Sequence, residues 1–107
     1  MSGNFILEKL KGIQQRFIEV GELITQPDII ADMKKYVRLN KEYKELEPLI
    51  EVYKSYKNVL GNIKSSKEIL ATEDDAELRE MAKDELEELN DQVPELEEEI
   101  KLLLIPK

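Results

Sequence analysis

Apolar residues recur along this chain in alternating steps of three and four. That spacing gathers one stripe on an α-helix and leaves its other faces polar. Near the start, Ile6, Leu10, Ile13, Phe17, Val20 and Ile24 follow the rule, the alternation of a helix-packing seam. Near the end, Leu78, Ala82, Leu86, Leu89, Val93, Leu96, Ile100 and Leu103 follow it again. The first set predicts a helix over 4–24 with Asn4 as its N-cap. Gly12 weakens the middle of that helix by up to about 1 kcal/mol relative to Ala, and Gly21 sits near the end, where fraying is cheap. The second set predicts a helix over 75–104, about 45 Å long.

The segments between are set by breakers and caps. Pro27, within Thr25–Gln26–Pro27–Asp28, lacks an N–H and pushes Gln26 out of the helical region, so the first helix stops there. Ile29 and Ile30 are expected to form one short turn, and Asp32 to cap a second helix. That helix carries Met33, Tyr36, Val37, Leu39, Tyr43 and Leu46 as its apolar or aromatic positions. Pro48 predicts either a kink or the first residue of a new helical segment. Ile50, Tyr53, Tyr56, Leu60, Ile63 and Leu70 carry the apolar side on to about Ala71. Thr72–Glu73–Asp74–Asp75 reads as an acidic turn in which Asp74 or Asp75 caps the last helix, with Glu77 favourably placed in its first turn. Pro94 predicts a bend or a distorted turn inside that helix. Short turns between long helices imply antiparallel neighbours. The expectation is an all-α, coiled-coil-like three-helix bundle, one domain over 1–107, with its second helix kinked near Pro48. The four apolar residues Leu102–Ile105 are expected to mark a chain cut just before something that would cover them.

Composition agrees with helices and narrows the chemistry. Charged residues make up 37%, and the four Gly and four Pro are too few for a turn-rich β fold. The net charge of −8 is uneven: from Glu73 to Lys101 there are 14 acidic and 3 basic residues, so the rest of the chain is mildly basic. With no Cys, disulfides and thiolate metal sites are excluded. No apolar run reaches the ~20 residues of a membrane span. Glu8, Lys9 and Lys11 interrupt any secretory layout at the start, so a cytoplasmic chain is expected.

Three features invite a functional reading. The acidic cluster of Glu85, Glu87, Glu88, Asp91, Glu95, Glu97, Glu98 and Glu99 suggests a cation site. It lacks the inward His of a carboxylate-bridged metal site and the bend glycine of a calcium loop, so it reads as a solvated face. Lys54, Lys57, Lys64 and Lys67 lie along and beside one edge of the apolar arc, interleaved with Tyr53 and Tyr56. They suggest an anion- or RNA-contacting edge, set against plain charge pairing with the acidic last helix. The four tyrosines suit the margin of a helical core better than a ligand platform. Nucleophilic catalysis of the triad type lacks an imidazole, since the chain has no His, and Ser65, Ser66 and Lys67 are adjacent on a helix and do not face one another. No Gly-rich phosphate loop is present. No catalytic, metal or cofactor-binding residue is assigned.

ELREMAKDEL (77–86) followed by LEEEIKLLLIPK (96–107) resembles the N-terminal domain of the bacterial peptide chain release factor 1 family, which runs from an ELREMA-like helix start to an LLLPKDP-like end. ILEKL (6–10) and IADMKKYVRLNKEYKEL (30–46) are similar to that family's first two helices, so the resemblance covers essentially the whole chain. Pro94 departs from it, standing where an ordinary helix former is expected. The resemblance implies a class I factor that reads UAA and UAG stop codons and triggers peptidyl-tRNA hydrolysis. The relative that reads UAA and UGA ends this domain differently. The family's Gly-Gly-Gln loop and codon-reading motif do not occur in 1–107, so no enzymatic residue carries over. The implied partners are the ribosome, at the large-subunit stalk base and GTPase-associated region, and the methyltransferase that modifies the Gly-Gly-Gln glutamine. Neither membrane nor DNA is implied. The competing reading is a free-standing coiled-coil adaptor or chaperone subunit, where exposed apolar seams are normal.

Overall fold

The computed structural model describes residues 2–105, with side chains from Phe5 onward. Four helices follow one another: α1 (Ser2–Leu23), α2 (Pro27–Ala31), α3 (Met33–Thr72) and α4 (Ala76–Leu103). No strand occurs among the described residues. The all-α class with long helices expected from the three–four spacing is what forms, with one more helix than expected among the described residues. The turn foreseen at Ile29 and Ile30 is α2, with Pro27 at its start, where a missing N–H costs nothing.

The helix boundaries follow the capping chemistry with two corrections. α1 begins at Ser2, so Asn4 lies within its first turn and cannot be its N-cap; the Asn4 side chain is outside the described residues. Pro48 does not begin a new segment. α3 runs unbroken through it for 40 residues, as α4 runs through Pro94. Each proline removes one ladder bond, to the carbonyl of Lys44 or Asn90, and both of those residues are exposed. Asp32 caps α3 as expected, its Oδ1 accepting from Lys35 N at 3.3 Å. Asp75, rather than Asp74, caps α4: its Oδ1 accepts from Glu77 N at 2.9 Å and Leu78 N at 3.1 Å. Pro106 and Lys107, the end of the family-like segment, lie outside the described residues.

The chain divides into two compact units, Met1–Tyr53 and Lys54–Lys107. In the first, α1 packs antiparallel on the early turns of α3. Arg16, seven residues before the end of α1, meets Glu42, nine residues into α3. Only an antiparallel pair places residues at such similar distances from their connection in contact. Phe17 stacks on Tyr43, with ring centroids 4.4 Å apart and planes at 19°. Gly21 has a packing reason beyond its place near a helix end: a Cβ there would lie 3.3 Å from Tyr43 Cε1.

In the second unit the late turns of α3 pair with α4 across Glu73–Asp75. Buried positions fall in register. Ser66 and Ala82 each stand six residues from the connection, and Val59 and Leu89 thirteen. Small side chains at the first pair suit a close approach of the two helices beside a three-residue connection. Arg79 closes the turn, its Nη1 donating to the carbonyls of Leu70 and Glu73. The α4 stripe is buried or half-buried from Ala82 to Ile100, whereas Leu78 and Leu103, its ends, are exposed.

Candidate functional site

The four lysines of the sequence-predicted edge, Lys54, Lys57, Lys64 and Lys67, all belong to the second unit, and all are exposed on α3. Among the described residues, Lys54, Lys64 and Lys67 form no ion pair, so the expected pairing of those three with the acidic α4 does not occur. The interleaved Tyr53 and Tyr56 do not join them at the surface. They are 6% and 1% exposed, deeper than the half-buried margin expected of them. Tyr36 and Tyr43 do sit at that margin.

The Tyr56 hydroxyl is carried deep into this unit, and it donates to Glu97 Oε2 at 2.7 Å. Burial, reinforced by that bond and by the carboxylate charge, pushes the phenol well above its ordinary pKa. Glu97 is the exception to the solvated-face reading of the acidic cluster. It lies four residues after Val93 and three before Ile100, on the ladder of the apolar stripe, and that spacing was the signal that could have set it apart. The other seven carboxylates of the cluster are exposed. No group of His, Cys, Asp or Glu capable of holding a metal ion occurs among the described residues. On the same unit, Ser55, Asn58, Gln92, Glu95 and Glu99, with Val59 and Leu96 between them, border a shallow groove of mixed polarity of about 440 Å³.

The first unit carries a charged fork. Arg16 Nε donates to Glu42 Oε2 at 2.6 Å and its Nη2 to Oε1 at 2.9 Å, while Nη1 reaches Glu19 at 2.6 Å. The guanidinium holds the Glu42 carboxyl below the usual carboxylate range, with Arg38 adding to the field. Both partners keep substantial solvent contact, with side chains 41% and 33% exposed, so the fork orders two helices more than it stores energy. These arrangements bind helices to one another or present charge to a partner. None brings a nucleophile, base and anion-stabilising donors together, as chemistry at a site requires.

No helix among the described residues is long and apolar enough to cross a membrane. No solved structure matches this chain. Sequence comparison does find relatives. The chain is 55% identical over 96% of its length to a protein named peptide chain release factor 1 from Bacteroides fragilis, and spans 28% of that relative. It is 52% identical over 99% of its length to the protein of that name from Parabacteroides distasonis, spanning 29% of it. With the one from Cytophaga hutchinsonii it shares 55% identity over 95% of its length and 28% of the relative's. The chain therefore spans under a third of the curated relatives it matches. The family model for the PCRF domain matches residues 13–107, nearly the whole of these helices, and the chain belongs to the PCRF-domain family.

Proposed function

We propose that this chain is the N-terminal helical arm of a cytoplasmic class I peptide chain release factor, serving translation termination at UAA and UAG codons in the complete protein. The observation that carries the reading is the 55% identity over 96% of the chain to relatives named peptide chain release factor 1. The helices supply reach and a contact surface. Peptidyl-tRNA hydrolysis belongs to a Gly-Gly-Gln loop, a motif not found in 1–107. The arm contacts the ribosome at the stalk base and GTPase-associated region of the large subunit, and it helps dock the methyltransferase that modifies that loop. The test is a release assay with the complete protein on ribosomes programmed with each stop codon. Release at UAA and UAG but not UGA is the expected result. Release at UGA, or at none, would overturn the reading.

Within the arm, Lys54, Lys57, Lys64 and Lys67 form the edge that meets ribosomal RNA phosphates. Their joint exposure supports this, as does the absence of ion pairs at Lys54, Lys64 and Lys67 among the described residues. Changing these lysines to Glu in the complete protein weakens ribosome binding most at low salt and flattens its salt dependence, by close to one unit of slope per lost phosphate contact. Unchanged affinity and slope would remove the edge from the contact surface.

A further inference from the structure

The first turns of α3 present an apolar face that the fold does not use. Met33 and Val37 are 69% and 59% exposed. At 100° per residue they lie on the side of α3 opposite the buried Leu39, so no adjustment of the α1 packing covers them. Met33, Lys34, Val37, Arg38 and Lys41 line one shallow groove of about 440 Å³. Val37 and Lys41 also line a second, of about 500 Å³, which extends to Lys44. Among the described residues, Lys34, Lys41 and Lys44 form no ion pair. Glu42, the one carboxylate within 33–44, is already held by Arg16. The result is an apolar strip with a cationic rim, on a chain whose overall charge is −8.

The geometry points to a docking site for an acidic, amphipathic helix of a partner protein, its carboxylates meeting Lys34, Arg38, Lys41 and Lys44 while apolar side chains one turn apart seat against Met33 and Val37. Charge complementarity selects an acidic partner. The apolar strip selects protein over nucleic acid, because a phosphate backbone satisfies the lysines and leaves Met33 and Val37 facing water. The site stands on this face and does not depend on the termination reading.

Binding to the 107-residue chain is measured by fluorescence anisotropy with three probes. One is a helical peptide of about 20 residues, long enough to hold a helix, with Glu-rich faces and two Leu four positions apart. The others are a scrambled peptide of the same composition and an oligo(U) RNA. The expected result is saturable binding of the first peptide, roughly tenfold tighter than the scrambled one. M33A/V37A should abolish that advantage, and K34Q/K41Q should weaken binding and flatten its salt dependence. All four substitutions are at exposed positions, and circular dichroism verifies that helix content is kept. Equal binding of the scrambled peptide, tighter binding of oligo(U) that M33A/V37A leaves unchanged, or no saturable binding would overturn the assignment. So would concentration-dependent self-association that M33A/V37A abolishes, which would make a second copy of this chain the occupant.

Discussion

The two helical hairpins are closed by opposite kinds of polar contact. In the unit ending at Tyr53, α1 and α3 are joined by a charged fork, Arg16 on Glu42, that stays in partial contact with water. In the unit beginning at Lys54, α3 and α4 are joined by a neutral phenol, Tyr56, buried to 1% exposure and aimed at Glu97. The connections differ as well. The first hairpin turns through α2 between prolyl and aspartyl boundaries, whereas the second turns in three residues that Asp75 and Arg79 tie down. A wet ion pair contributes little energy but fixes which turns of two helices meet. A buried hydrogen bond adds little net energy when made and costs more when one half is left alone.

That contrast is open to attack in order of size. The largest loss is expected where neither polar contact matters. Leu10→Ala removes a side chain with no solvent exposure and should cost about 2–5 kcal/mol in urea denaturation. A cost within error of zero would mean that the apolar seam does not hold this unit. Tyr56→Phe should cost about 1–2 kcal/mol, since Glu97 is half-buried and recovers only part of its lost bond from water. Its pH signature is specific. A phenol held above its ordinary value contributes stability that is fully present below the unfolded phenol pKa of about 10 and is lost as pH rises past it. The gap between wild type and Tyr56→Phe should therefore narrow in alkaline melts, and a gap independent of pH would break the assignment.

Glu42→Gln is expected to cost at most about 1 kcal/mol at neutral pH, less in high salt. Because Arg16 depresses the Glu42 pKa, the contribution is present above the unfolded carboxylate value of about 4.3 and disappears as pH falls through the lower folded value. Thermal melts of both proteins should converge in acid; a difference that persists there would point to packing rather than charge. The smallest effect has the opposite sign. Gly12→Ala meets no atom within 4 Å and should stabilise by about 0.5–1 kcal/mol. Gly21→Ala must displace the Tyr43 ring edge and should forfeit most of that gain, so equal stabilisation by the two would show that Gly21 does not set the α1–α3 approach.

Local chemistry was enough to place most of the helices. Spacing of three and four named the stripes, Pro27 stopped α1, Asp32 marked one cap and the pair Asp74–Asp75 narrowed the other to two residues, because each of these acts within one turn of chain. The prolines at 48 and 94 were harder to read from the same rules. A proline's local cost is real, yet each lies in a long helix whose buried positions continue on both sides, and the residue whose ladder bond it removes is exposed. Periodicity also cannot tell an apolar residue that packs from one that waits for a partner. Met33 and Val37 counted as helix positions like Leu39, and only the direction from which α1 approaches turned them outward. The lysine edge was readable as a cluster of like charges. Glu97 differed from its acidic neighbours in the sequence only by its place on the apolar ladder, and its role depends on where Tyr56 arrives from 41 residues away. Which residues form helices is set by contacts between near neighbours in the chain. Which of their faces become core, lock or open surface is set by contacts between residues far apart in it.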